Sequence, residues 1–153
     1  WDGYTLKLTV CSKDVYDAEE VAQLQAGDTL IYCGEPIVID ALAAVEGGIE
    51  INGGQIDEGG CFLVPNGGGT FVARHWDNHA TYTEALKAVM TLAEHCVIID
   101  CGEMPTDPCD TIRTDLKTYV ENLKDSRPNF SPLNTLVTIR NGSITEISRR
   151  WIP

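Results

Sequence analysis

The residues best suited to chemistry lie in one pentapeptide, His75-Trp76-Asp77-Asn78-His79. If this segment is extended, side chains 75, 77 and 79 point to one face. Two imidazoles and a carboxylate are then a plausible ligand set for zinc or another divalent metal, and Glu84, His95 or Asp100 could contribute a fourth through folding. Such a centre would make the chain a metal-dependent hydrolase. If Asp77-Asn78 is a turn, the alternation is lost and the same residues decorate a loop tip. The spacing matches no established zinc motif, so loop polarity is the preferred reading and the metal centre the alternative.

Other motifs carry less. The string Asp100, Glu103, Asp107 and Asp110 offers hard oxygens but lacks the Asp-x-Asp-x-Asp-Gly spacing of a calcium loop; with Pro105 and Pro108 it reads as a rigid turn before a helix. Asn66-Gly67-Gly68-Gly69-Thr70 has no lysine and no following helix, so it is a turn and not a phosphate loop. There is no Gly-x-Ser-x-Gly elbow, and no spacing selects a Cys-His pair among six cysteines and three histidines. Cys11, Cys33, Cys61, Cys96, Cys101 and Cys109 include no Cys-x-x-Cys. A Cys101–Cys109 bridge across a short proline-kinked loop stands beside the alternative of six buried, reduced thiols.

The elements that must position these residues are mostly short strands. Residues 4–10 alternate with period two, and residues 29–33, 36–45, 49–52, 61–64 and 70–76 follow as strands punctuated by glycine pairs. Turn signals every eight to twelve residues point to an antiparallel sandwich or a partly open barrel. Asp17 and Glu20 suggest a capped helix over residues 18–24. Tyr82, Ala85, Leu86, Val89, Met90 and Ala93 form an apolar stripe, and with Thr81 and Glu84 as a capping box residues 81–94 are expected to be helical, a strand being the alternative. Val97-Ile98-Ile99 reads as a buried strand. Residues 110–125 carry the clearest helical face, and Asn141-Gly142 between residues 136–140 and 143–151 is a strong hairpin signal. The expected class is therefore α+β and β-rich, a sandwich or partly open barrel with one or two amphipathic helices and a C-terminal hairpin, in one domain over residues 1–153.

Charge narrows the function. The net charge is −12, with thirteen acidic and three basic residues in 1–80. So negative a surface repels nucleic acid and anionic lipid. No run of 18 apolar residues exists to span a bilayer. The start at Trp1-Asp2-Gly3 is read as the end left by removal of a targeting segment.

The tail Ser131-Pro132-Leu133-Asn134-Thr135, followed by Val137-Thr138-Ile139-Arg140-Asn141-Gly142-Ser143-Ile144, resembles the ends of uncharacterised secreted or lipoprotein-type domains of anaerobic Gram-positive bacteria; the segments around Asp28 and from Asp100 to Asp110 add to the likeness. The resemblance implies an extracellular or cell-surface-anchored location and carries over no catalytic residue. The expected function is an extracytoplasmic binding or interaction module for a protein or glycan at the cell surface, with no cofactor. The alternative is the metal-dependent hydrolase centred on His75, Asp77 and His79. An exposed aromatic patch, drawn from Trp1, Trp76 or Trp151, would favour the binder.

Overall fold

A computed structural model describes residues 3–55, 59–102, 111–123 and 128–152. The class is α+β and β-rich, and the chain divides into two compact units: residues 11–86, and residues 1–10 with 87–153.

The first unit is built on the glycine-punctuated strands. β1 (Thr5–Lys13) leads into it and β2 (Val15–Asp17) follows. After α1 (Ala18–Val21) come β3 (Thr29–Tyr32), β4 (Glu35–Val38), β5 (Leu42–Val45), β6 (Gly48–Ile51), β7 (Cys61–Gly67) and β8 (Thr70–Arg74). One antiparallel sheet has the order β2-β8-β7-β6-β5, and β3-β4 form a separate hairpin. The hairpin turns at Cys33-Gly34, both at positive φ (51° and 83°), the backbone a two-residue turn needs to match strand twist. Val21, Leu30, Tyr32, Ile39, Ile51, Cys61, Leu63 and Ala73 make the core. Residues 36–45 are not one strand, because the chain breaks between β4 and β5 around Asn52. The Asn52 amide oxygen accepts from the Asp40 and Ala41 N–H groups at 2.8 and 3.1 Å, and its NH2 donates to the Val38 carbonyl. The expected helix over 18–24 shrinks to four residues, and Asp17 makes no side-chain cap. The Ala18 N–H is instead satisfied by the Gly69 carbonyl.

The second unit corrects the sequence reading most. Residues 82–100 are a single strand, β9 (Tyr82–Asp100), where a helix over 81–94 was expected. The apolar stripe is not a buried face: Leu86 and Val89 are more than half exposed. Further along, burial alternates with period two, and the backbone groups find partners in β1 and in β12 (Ser143–Arg149), the Leu92 N–H donating to the Tyr4 carbonyl. A sheet on either side outweighs local helical periodicity. Thr81, read as a helix cap, is buried in the first unit.

The sheet order is β1-β9-β12-β11, with β11 spanning Thr135–Arg140 and β10 (Ile112–Asp115) pairing with the end of β9. The β9–β12 pair is parallel and the pairs β10–β9 and β11–β12 are antiparallel. Asn141-Gly142 closes the C-terminal hairpin with both residues at positive φ. The helix expected over 110–125 is α2, Leu116–Leu123, because residues 112–115 are drawn into the sheet. Its start is set by Asp115, whose carboxylate accepts from the Thr118 N–H at 3.0 Å and hydroxyl at 2.7 Å. Leu116 and Tyr119 pack with Leu92, Cys96, Ile98, Ile144 and Ile147. Among the described residues no helix is long and apolar enough to cross a membrane.

Asp100 ends β9 in a buried ion pair. Its Oδ1 accepts from Arg149 Nε at 2.8 Å and from the Gly102 N–H at 2.9 Å, and its Oδ2 accepts from the Tyr119 hydroxyl at 2.7 Å. Burial pushes this carboxyl up, but the bonds from Arg149, Tyr119 and Gly102 outweigh it and hold the group below the usual carboxylate range. A depressed folded value means that its stabilisation is complete above the unfolded value of about 4 and is lost as pH falls through the folded one. Asp100→Ala, which removes the carboxylate that accepts from Arg149, Tyr119 and Gly102, is expected to cost about 2–3 kcal/mol at pH 7. In urea titrations against pH, the gap between wild type and variant should close below about pH 4; a gap independent of pH would contradict the role given to the ionised pair.

Candidate functional site

The His75–His79 pentapeptide is a turn. β8 ends at Arg74, which bridges to Ala80; the His75 N–H donates to the His79 carbonyl, and the Asn78 N–H to the His75 carbonyl, both at 2.9 Å. Asn78 sits at φ 66°. Asp77 closes the loop, accepting from the His79 N–H at 3.0 Å and from His79 Nδ1 at 3.1 Å. These bonds and the neighbouring imidazoles hold the Asp77 carboxyl below its ordinary range, the backbone bond most of all. The strand alternation that would align 75, 77 and 79 is therefore absent. Asp77 and His79 pair with each other, and His75 turns to Tyr32, whose hydroxyl lies 2.7 Å from Nδ1 with the rings edge to face. Among the described residues no group of three or more His, Cys, Asp and Glu side chains is placed to hold a metal ion. Asp100, a candidate fourth ligand, is bonded to Arg149, and Glu84 and His95 lie on exposed stretches of β9. Of the acidic string, Glu103, Asp107 and Asp110 lie outside the described residues.

Beneath the turn is a polar hub that sequence reading missed. Asp14, nearly buried, accepts from the Thr81 hydroxyl at 2.6 Å, the Thr83 hydroxyl at 2.5 Å and the Cys33 N–H at 3.1 Å. Its own backbone takes the Thr81 carbonyl and the Ala73 N–H. One residue thus ties the β2 entry to the ends of β3 and β8 and the start of β9. Burial first, and then the nearness of the acidic groups of Cys33, Cys61 and Asp14, push the Tyr32 phenol far up. It stays protonated, and its hydroxyl shares a 2.7 Å hydrogen bond with His75 Nδ1.

The same field disarms the thiols. Cys33 is raised by burial and by Asp14, and Cys61 is pushed up to about 12, by burial first and then by Cys33 and Asp14. A protonated thiol is a poor nucleophile, so the Cys-His reading loses its chemistry here. Cys33, Cys61, Cys96 and Cys101 are free thiols; Cys109, the other half of the bridge considered above, lies outside the described residues.

Above the turn is an open cleft of about 220 Å³. Phe62 and Val64 on β7 and Arg74 on β8 share the sheet face opposite the core residues Leu63 and Ala73. The Phe62 ring lies over Gly54, where a Cβ would come within 2.3 Å of it. The β5–β6 turn supplies the opposite rim with Val45, Glu46, Gly47 and Gly48. Any side chain at Gly48 would meet the Leu63 carbonyl at 2.3 Å and push β6 from β7. The 75–79 turn supplies His75, Trp76 and Asn78. Trp76 is 68% exposed. Arg74 donates from Nη1 to the Asn78 carbonyl at 2.6 Å, while its Nε is buried with no acceptor. Sequence carried one signal for it: between residues 11 and 86 the only basic side chains are Lys13 and Arg74.

The second unit has a more polar cleft of about 330 Å³, lined by Val97, Arg113, Thr138, Arg140, Thr145 and Glu146. It has no aromatic wall, and Arg113 there lies 3.7 Å from Glu146. No protein-family model, curated protein or solved structure matches the chain.

Asp14→Ala is expected to destabilise the fold by on the order of 3 kcal/mol, because three donors lose a charged acceptor at once. Asp14→Asn, equal in size, should recover part of it, its oxygen accepting from Thr81 and Cys33 and its NH2 donating to a rotated Thr83 hydroxyl with the charge assistance lost; full recovery in chemical denaturation would show that the charge of the acceptor does not matter. Iodoacetamide at pH 8 should leave Cys61 unlabelled in the folded chain and label it fully in urea. Labelling of folded Cys61 at the rate of an exposed thiol would contradict its burial.

Proposed function

We propose that this chain is an extracytoplasmic binding module and that the Trp76 cleft seats its ligand. The observation that carries the reading is the indole itself. A tryptophan normally buries most of its large surface, and leaving two thirds of this one in water forgoes roughly 3–4 kcal/mol of apolar burial. Here the side chain lines a cleft together with the apolar Phe62, Val64 and Val45 and the polar Glu46, Arg74, His75 and Asn78, the mixture that ligand seats use to combine affinity with orientation. The turn beneath is fixed by its own hydrogen bonds and by the His75–Tyr32 contact, so the indole is presented on a preformed loop.

Placement outside the cytoplasm rests on the likeness of residues 131–144 to secreted and lipoprotein-type domains, and a cell-surface protein or glycan is the corresponding partner. The acidic surface argues against nucleic acid and anionic membranes as partners.

The test uses the full chain immobilised against separated protein and polysaccharide fractions of bacterial cell surfaces. Trp76→Ala is expected to lower binding to the fraction that wild type retains by at least about tenfold, the loss of a single central aromatic anchor. Its melting temperature should stay within about 2 °C of wild type, as for other exposed substitutions. Undiminished binding by Trp76→Ala would move the seat elsewhere.

A further inference from the structure

We infer that the Trp76 cleft takes a neutral, hydroxyl-rich ring, one pyranose unit of a glycan; this rests on the cleft being the ligand seat. Three observations converge on that chemistry.

The first is the balance of polar groups. Arg74 and Asn78 bring donors, Glu46 brings an acceptor, and His75, with Nδ1 occupied by Tyr32, keeps Nε2 as its remaining polar atom. Donors and acceptors stand around one small space. A sugar hydroxyl is donor and acceptor at once and can satisfy both kinds. An anionic ligand would gain Arg74 but meet Glu46, in a unit whose residues 11–86 carry thirteen acidic and two basic side chains, a balance of −11. A cationic ligand would be drawn by that field yet meet Arg74 at the seat itself. Neutrality escapes both penalties.

The second is the aromatic wall. Trp76 presents a large flat apolar surface in a cleft that Phe62 and Val64 also line. The C–H face of a pyranose is flat and apolar while its rim is polar, which matches an indole wall edged by hydrogen-bonding groups. A purely apolar peptide side chain would leave Arg74, Glu46 and Asn78 desolvated without partners.

The third is size and openness. At about 220 Å³ the space is below the roughly 300–1,000 Å³ of seats for drug-sized ligands. It suits one ring. Because the cleft is open to solvent, the neighbouring units of a chain can lie outside it.

The test is calorimetric titration of the full chain with soluble hexasaccharides of three kinds: neutral (from β-glucan, mannan and chitin), anionic (oligogalacturonate) and cationic (deacetylated chitin). A proline-free hydrophobic octapeptide is the non-glycan probe. At least one neutral hexasaccharide should bind, with affinity changing less than about twofold between 50 and 500 mM NaCl, as expected without charge pairing. Its binding should shift the indole N–H resonance of Trp76, assigned with Trp76→Phe. Trp76→Ala should weaken it by at least thirtyfold, Trp76→Phe by less, and Glu46→Gln by several-fold. Binding of only the charged hexasaccharides or only the peptide, with the Trp76 resonance shifted, would overturn the neutral-glycan assignment and leave the seat standing. Binding that leaves Trp76 unmoved would overturn both. Failure of every neutral hexasaccharide at millimolar concentration would overturn the assignment.

Discussion

Asp14 is a carboxylate almost out of water with no ion-pair partner among the described residues, and the first unit is arranged around that constraint. A buried charge is tolerated only when its lone pairs are filled. Here the Thr81 and Thr83 hydroxyls and the Cys33 N–H fill them. Those donors come from three places far apart in the chain, so satisfying one carboxylate fixes where β3 ends and β9 begins. The Cys33-Gly34 turn then places Tyr32 beneath His75, and His75 anchors the loop that carries Trp76. The exposed indole therefore depends on a side chain in the interior of the same unit.

The second unit solves a related problem in another way. Asp100 is also drawn out of water, but it is met by Arg149, Tyr119 and a backbone N–H. That cluster joins the ends of β9 and β12 to α2, where apolar packing alone would leave their polar ends unmatched. The two units thus use opposite devices for a sequestered carboxylate, neutral hydroxyl donors in one and a guanidinium in the other. Beside Asp14 the Cys33 and Cys61 thiols are raised, by burial first and then by neighbouring negative charge.

Much of the strand pattern was legible because its signals are local. Paired glycines mark the turns of the first unit, and Asn141-Gly142 announces the last hairpin by backbone conformation alone. Residues 81–94 were misread because a helical stripe and a strand both suit Val89-Met90-Thr91-Leu92, and only partners on both sides decide between them. The site was legible in composition but not in geometry. The pentapeptide 75–79 stands out in sequence for its histidines, yet the turn bonds of Asp77 disperse them and the large apolar side chain left exposed is Trp76. Asp14 gave no signal at all: its partners are 19 to 69 residues away, and a lone aspartate between two short strands looks like any turn residue.

The interruption of one unit by the other bears on how the chain comes off the ribosome. Residues 11–86 are contiguous, whereas the unit around β9 and β12 needs residues 1–10 from one end and 87–153 from the other. During synthesis the inserted unit can complete its core while the C-terminal hairpin is still unmade. β1 must wait for β9, and the parallel register of β9 must wait for β12, which emerges well after residues 11–86. Folding in this order turns a long, entropically expensive closure into the joining of two ends already held by a finished insert. Truncation near the C terminus should therefore spare the Trp76 cleft and expose the unpaired edge of β9, an opening for aggregation.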